Sequence, residues 1–326
     1  MTMFTSGFAA SLSASGSRLG IDIGSAAVKV VELSCRRDSY RLDTFALEPV
    51  PPGSVVRGSV HDSEAVGAAI RRACQRARTR TRRTTVGVAN SEVSVRTLNL
   101  DASLDDGALV EAVAREAASQ MPFPAEDMAI DFEPLQLALD DPAKVEVHVA
   151  ACRLEHVARQ REAIEHAGLR LHVADVPRYA VVRAVAHIAP AEVPVAVVDI
   201  GSATTTMLLV FGDGSVNSQE EPFDLGSSSA DKTDLLRLIA RLLRVVALSS
   251  RTETINQLLL AGGAASSREF AALVADHVRL PVATVNPFAR MTVSRRIGSE
   301  SLVEHAPALL TATGLALRGF VKDGTR

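Results

Sequence analysis

The chain has no tryptophan, two tyrosines and only 4% aromatic residues in all. Platforms that stack nucleic-acid bases need aromatic faces, so that class of binding has little support. Cysteine is equally sparse. Cys35, Cys74 and Cys152 are odd in number, far apart, and form no CxxC pair. This excludes a disulfide framework and a cysteine-based zinc site, and it fits a reducing cytoplasm. His148, His156, His166 and His172 lack HExxH spacing and read as structural or solvated side chains. No apolar run is long enough to span a bilayer. Residues 1–17 are rich in Ser and Ala but lack the basic start and long apolar centre of a secretory signal, so a disordered leader is expected. A net charge of -3 offers no overall pull on polyanions, and no specific nucleic-acid partner is expected.

What is present suffices for two domains or one duplicated domain: 326 residues, 47% of them hydrophobic. Strands are expected at Leu19–Ile23, Val28–Ser34 and Tyr40–Leu47. Pro49, Pro51, Pro52 and Gly53 then break the pattern. Val66, Ala69, Ile70, Ala73 and Ala77 share one face of a helix from Asp62 to Arg78, and a strand follows at Thr84–Ala89. Strand, strand, strand, helix and strand recur downstream at Val195–Ile200, Thr205–Phe211, Ser215–Glu221, Lys232–Leu248 and Gln257–Leu260. Between the copies lies a block with two helices, Asp105–Met121 and Leu154–Ala167. It also carries strands at Val93–Leu100, Ala129–Leu137 and Val145–Cys152, and it reads as a small α+β insertion. The last helix is expected from Ser301 to Gly319.

Each copy opens on the same turn. Asp22-Ile23-Gly24-Ser25-Ala26 and Asp199-Ile200-Gly201-Ser202-Ala203 both join two apolar strands. Glycine permits a sharp bend and close approach to a ligand. Backbone amides and hydroxyls in such a bend suit phosphate oxygens, and an aspartate can hold hydrated Mg2+ beside them. One such turn alone would be an ordinary β-hairpin. Two, each opening one half of the chain, point to a nucleotide held between the halves. Seven arginines, Arg71, Arg72, Arg76, Arg78, Arg80, Arg82 and Arg83, form a run read either as a solvated helix face and loop or as a contact for anionic lipid or nucleic acid.

This arrangement resembles the actin-like ATPase superfamily of actin, heat-shock chaperones, sugar kinases and a bacterial division protein. Within it the chain is similar to the PilM family of type IV pilus assembly. The opening Leu19-Gly20-Ile21-Asp22-Ile23-Gly24-Ser25 and Val28-Lys29-Val30-Val31-Glu32-Leu33 carry that likeness. So do Met121-Pro122-Phe123-Pro124 with Asp131-Phe132, Asp175-Val176, Leu260-Ala261-Gly262-Gly263, Asn286-Pro287-Phe288 with Met291, and Gly314-Leu315-Ala316-Leu317-Arg318. The resemblance covers about Arg18 to Phe320. One departure is a much shortened segment between Phe223-Asp224-Leu225-Gly226 and Leu260-Ala261-Gly262-Gly263, as if a helical portion of the second domain were missing.

The resemblance implies an α/β fold of duplicated actin-like (ribonuclease H-like) domains flanking a nucleotide cleft. The first domain would comprise 18–92 and 171–192, the insertion 93–170, and the second domain 193–326 with a shortened outer subdomain. Asp22, Gly24, Ser25 and Lys29 would form the first phosphate loop, and Gly201, Ser202, Thr204 and Thr205 the second. Gly262 and Gly263 would lie beside the nucleoside, with ATP as cofactor and Mg2+ near Asp22 and Asp199. The implied role is a cytoplasmic scaffold at the inner membrane. It would bind the N-terminal cytoplasmic tail of a PilN-like membrane protein near Val93–Arg153 and relay nucleotide state to pilus motor ATPases. ATP binding is expected above efficient hydrolysis, because no residue is assigned to position water. Glu220 and Glu221, at a strand end, read as surface groups. The other readings are a nucleotide-free adaptor of a related pilus or type II secretion system, and a small-molecule kinase.

Overall fold

The computed structural model of the chain describes residues 16–37, 39–138, 141–189, 194–223, 232–250 and 255–321. Most of the expected leader, residues 1–15, and the segment 224–231 fall outside them.

Strands β1 (Gly16–Ile23), β2 (Ala27–Arg36) and β3 (Ser39–Pro49) form an antiparallel meander. β1 starts within the expected leader, and its first residues, Gly16 and Ser17, pair with Cys35 and Ser34. A two-residue hairpin, β4 (Val55–Val56) with β5 (Ser59–Val60), occupies the loop that Pro51 and Pro52 open. Helix α1 (Ser63–Ala77) starts where Asp62 accepts the Ala65 amide at 2.9 Å and ends at Arg78, which turns into the left-handed region. β6 (Arg83–Gly87) runs parallel to β1. The insertion follows: β7 (Val93–Asp101), α2 (Asp106–Gln120), β8 (Met128–Ala138) and β9 (Asp141–Arg153). Its sheet has the order β7-β9-β8. Its apolar face, Leu98, Leu100, Val147 and Val149, packs on Leu109, Val113 and Ala117 of α2.

Helix α3 (Leu154–His166) was expected inside the insertion. It packs both ways: Val157 lies with Val93, Ala129 and Ala150 of the insertion strands, while Ala163 and Ile164 join the core under α1, against Val66, Ile70 and Ala73. Gly67 of α1 explains the fit, because a Cβ there would overlap the His166 side chain. β10 (Arg170–Asp175) then pairs parallel with β6 and leads into α4 (Pro177–Ile188).

The second half repeats the first. It contains β11 (Val195–Ile200), β12 (Thr204–Val210), β13 (Val216–Pro222), α5 (Lys232–Ser249), β14 (Leu258–Ala261), α6 (Arg268–Val278) and β15 (Val282–Thr284). The two sheets have the orders β10-β6-β1-β2-β3-β16 and β13-β12-β11-β14-β15. From the third strand inward the succession is the same: hairpin, hairpin, then two parallel neighbours.

The chain then crosses back. Asn286-Pro287-Phe288 turns it, the Asn286 side chain accepting the Phe288 amide at 3.0 Å. Phe288, buried with Met291 beside it, docks on Val31, Leu33 and Leu42 of the first sheet. β16 (Thr292–Val293) adds to the edge of β3 at Arg41 and Leu42. The single closing helix expected from Ser301 is broken. α7 (Ser299–His305) gives way to a 3-10 turn over Ala306–Leu309, and α8 (Leu310–Arg318) follows. Pro307 accounts for the break, since it lacks an amide proton and crowds the preceding turn.

α8 lies mainly against β1, β2, β6 and α4, and only its first turn, with Leu310 beside Val197 and Leu259, reaches the second sheet. Small residues allow the approach. A Cβ on Gly20 would collide with the backbone of Ala312 and Ala316, and one on Gly314 with the backbone of Ala180. Arg183 of α4 clamps this layer: it pairs with the fully buried Asp175 at 3.0 Å and donates to the Gly314 carbonyl at 3.0 Å.

Candidate functional site

The two matched turns face one cavity of about 280 Å³. In each, the glycine amide closes the bend. Gly24 donates to the Ala27 carbonyl at 3.1 Å, and Gly201 to the Thr204 carbonyl at 2.9 Å. The residue after the third strand then ties back to the turn in both halves: Val50 donates to Ala26, and Phe223 to Ala203. The duplication therefore extends to single hydrogen bonds. Among the described residues, the amides of Ser25, Ala26, Ser202 and Ala203 carry no hydrogen bond, so two pairs of donors are free for an anion.

Of the residues singled out from the sequence, Asp22, Gly24, Ser25, Lys29, Asp199, Gly201, Ser202, Thr204, Gly262 and Gly263 all line this cavity. Thr205 does not. Strand alternation points it away from its neighbours, and it is fully buried. Gly262 sits at φ 92° with its amide donated to Pro307 at 2.9 Å. A Cβ there would strike the Ile200 backbone, which is why glycine occupies this floor.

Asn90, Thr206, Glu220 and Thr311 also line the cavity, though the sequence reading did not assign them to it. Glu220 is not a surface group. The Thr206 hydroxyl donates to it at 3.3 Å and the Asn90 amide at 3.5 Å, the latter across from the first half. The alternation Thr204, Thr206 against Glu220 was the available signal, because antiparallel neighbours on one face share an environment. Arg57, at φ 51° in the small hairpin, completes the rim.

Charge is unbalanced. Lys29 binds Asp22 at 2.7 Å, whereas Asp199 receives only a long bond from Thr311 at 3.4 Å. Burial works against the Lys29 charge, but Asp22 and Asp199 outweigh it and hold its pKa above the ordinary lysine range. Asp199 is pushed up to about 6, chiefly by burial, with Asp22 and Glu220 adding repulsion that Lys29 does not cancel. Three carboxylates thus share one lysine, an arrangement that favours a further cation. Among the described residues no group of three His, Cys, Asp or Glu stands close enough to bind a metal unaided. Phosphate oxygens and water would have to supply most of the shell, as Mg2+ commonly requires.

The arginine run lies elsewhere and is largely engaged. Arg72 and Arg76 hold Glu48 at 2.7 and 3.0 Å, Arg82 donates to Gly168, Arg71 to His166, and Arg83 meets His172. Glu48 is held below the usual carboxylate range, mainly by the Arg72 bond. No described helix is long and apolar enough to cross a membrane.

A family profile described as type IV pilus assembly protein PilM matches residues 20–228 and 230–320. A solved PilM-PilN type IV pilus biogenesis complex contains a chain that is 29% identical, with a TM-score of 0.74 over 94% of this chain and 99% of that one. More distant structures share the fold. They include the ethanolamine utilization protein EutJ of Carboxydothermus hydrogenoformans (14% identity, TM-score 0.51, 94% and 92% covered). A nucleotide-free diol dehydratase-reactivating factor also matches (10% identity, TM-score 0.54, 94% and 100% covered). With both halves built on the same strand order around one cleft, the chain belongs to the PilM family of type IV pilus assembly proteins and has the duplicated actin-like fold.

Proposed function

We propose that the chain is a nucleotide-responsive scaffold of type IV pilus assembly, working in the cytoplasm beside the inner membrane. The observation that carries this reading is the pair of glycine turns opposed across one cavity, with Lys29 between Asp22 and Asp199. ATP is the ligand that suits them. The free amides at Ser25–Ala26 and Ser202–Ala203 would cradle its phosphates from both sides, and Gly262–Gly263 would admit the nucleoside. Mg2+ would ride on the phosphates near Asp22 and Asp199, where negative charge is in excess. Glu220, set by Thr206 and Asn90, is the carboxylate positioned to orient a water. Such a ligand touches both halves and so favours the closed arrangement.

The protein partner would be the N-terminal cytoplasmic tail of a PilN-like membrane protein, held near the insertion by backbone pairing and side-chain pockets. Asn90 stands three residues before β7 and also accepts the Arg178 amide at 3.2 Å, so a change at Glu220 reaches the approach to the insertion directly. Motor ATPases would read the resulting surface. Calorimetry tests the first part: Mg-ATP should bind the parent chain and lose affinity with Lys29→Met. Absence of heat from the parent would overturn the switch and leave the nucleotide-free adaptor. A pull-down with PilN-type tail peptides tests the second, and failure to retain any of them would overturn the partner.

A further inference from the structure

The outer edge of β3 is covered for two residues only. β16 pairs with Arg41 and Leu42, and the Ser294 amide donates to Leu42 at 2.9 Å. Beyond that point no described strand pairs with the outer edge of Thr44 to Leu47. Exposed edges are usually guarded by lysine, proline or an inward charge. Thr44-Phe45-Ala46-Leu47 has none of these, and Pro49 comes only at the strand's end. The edge opens into a cavity of about 290 Å³ rather than onto a flat surface.

The walls of this cavity are positive on both faces of the sheet. On the α1 face, where Ala46 packs, stands Arg76. Arg72 and Arg76 share the single carboxylate of Glu48, which leaves that wall one positive charge in excess. On the opposite face, where Phe45 and Leu47 pack with Ile297 and Leu302, stand Arg296 and His305. The Arg296 guanidinium has no ion pair among the described residues. The Nδ1 of His305 is buried without a hydrogen bond among them, and its nearest carboxylate, Glu304, is 3.7 Å away.

We infer that this edge is a docking site for an extended acidic segment of another protein, added as a strand that continues the line of β16. Backbone groups of Thr44 to Leu47 would supply the pairing, the occupant displacing the Arg76 guanidinium that donates to the Leu47 carbonyl at 3.3 Å. Successive side chains of a strand point to opposite faces, so two adjacent carboxylates on the occupant would reach Arg76 on one side and Arg296 with His305 on the other. The site is at the far edge of the first sheet from β10, and of its lining residues Leu47 also borders the cleft cavity.

The probe is the peptide acetyl-Thr-Val-Glu-Glu-Val-Thr-amide, with Gln-Gln and Lys-Lys analogues, added to the full chain. Hydrogen exchange should slow over residues 40–49 with the Glu-Glu peptide, and Arg296→Glu should weaken its binding about tenfold or more. Arg296 is exposed, so an unchanged melting curve is expected for the variant; if it melts lower, Arg296→Gln replaces it and should weaken binding in the same direction. No protection at about 1 mM peptide overturns the proposal, because a strand held by paired charges would be populated there. Equal binding of the Gln-Gln analogue overturns it, as does protection located only in residues 93–153. Protection of 40–49 that depends on protein concentration without peptide assigns the edge to a second copy of the chain and also overturns it. Protection by anionic phospholipid vesicles but not by peptide does the same.

Discussion

Asp199→Asn tests the electrostatic account of the cleft most directly. The carboxyl is raised from 3.8 to about 6, so the folded chain binds its proton more tightly than the unfolded chain does. Folding therefore takes up a proton between about pH 4 and pH 6, and stability falls as pH rises through that window. Two units correspond to about 3 kcal/mol at full expression. Asp199 is only half-buried and faces the cleft, so water screens part of this and about 1–2 kcal/mol is the expected penalty at neutral pH. Asparagine keeps the acceptor for Thr311 and removes the charge. In urea unfolding without nucleotide, the variant should exceed the parent by about 1–2 kcal/mol at pH 7.5, by about half of that at pH 5, and by almost nothing below about pH 4. Mg-ATP should reverse the order, because only the parent gains binding free energy. A variant less stable than the parent at pH 7.5, or a gap that does not change with pH, would refute the reasoning.

Gly314→Ala should destabilise the fold by about 2–3 kcal/mol or more in urea unfolding, since its Cβ meets the rigid Ala180 backbone. Asp175→Ala should cost about 3–5 kcal/mol by the same assay, because it strands the Arg183 guanidinium in the interior. Asp62→Ala removes the cap on α1 and should cost about 1 kcal/mol without altering Mg-ATP binding measured by calorimetry. Glu220→Gln should leave Mg-ATP affinity within about threefold while slowing any phosphate release measured by a coupled assay.

Sequence periodicity carried the first sheet and its repeat because each strand there combines alternation with a bounding turn, as at Tyr40–Leu47 and Thr205–Phe211. The cleft was legible for a different reason. Two copies of Asp-Ile-Gly-Ser-Ala mark their own equivalence, and folding places both on one cavity. Glu220 was obscured because its strand is half-buried from Val216 to Glu221 and shows no apolar face. Thr205 was assigned to the loop by the resemblance alone, whereas strand alternation turns its side chain into the core. The break at Pro307 is written in the sequence, but the apolar run through Ala306–Leu317 continues past it and masks the change of direction. The location of α3 depended on Gly67, a contact 96 to 99 residues distant in sequence that no local pattern records.

The crossing of α8 with α4 and β1 constrains how the two halves can travel. Backbone lies on backbone at Gly314 and Gly20, with no intervening side chain to slide or repack. Translation along that seam is blocked, whereas swivelling about it is not. The same helix brings Thr311 to Asp199, so the axle reaches the cargo. Opening would then resemble a key turning in a tight barrel, with small angles at the seam becoming larger arcs with distance from it.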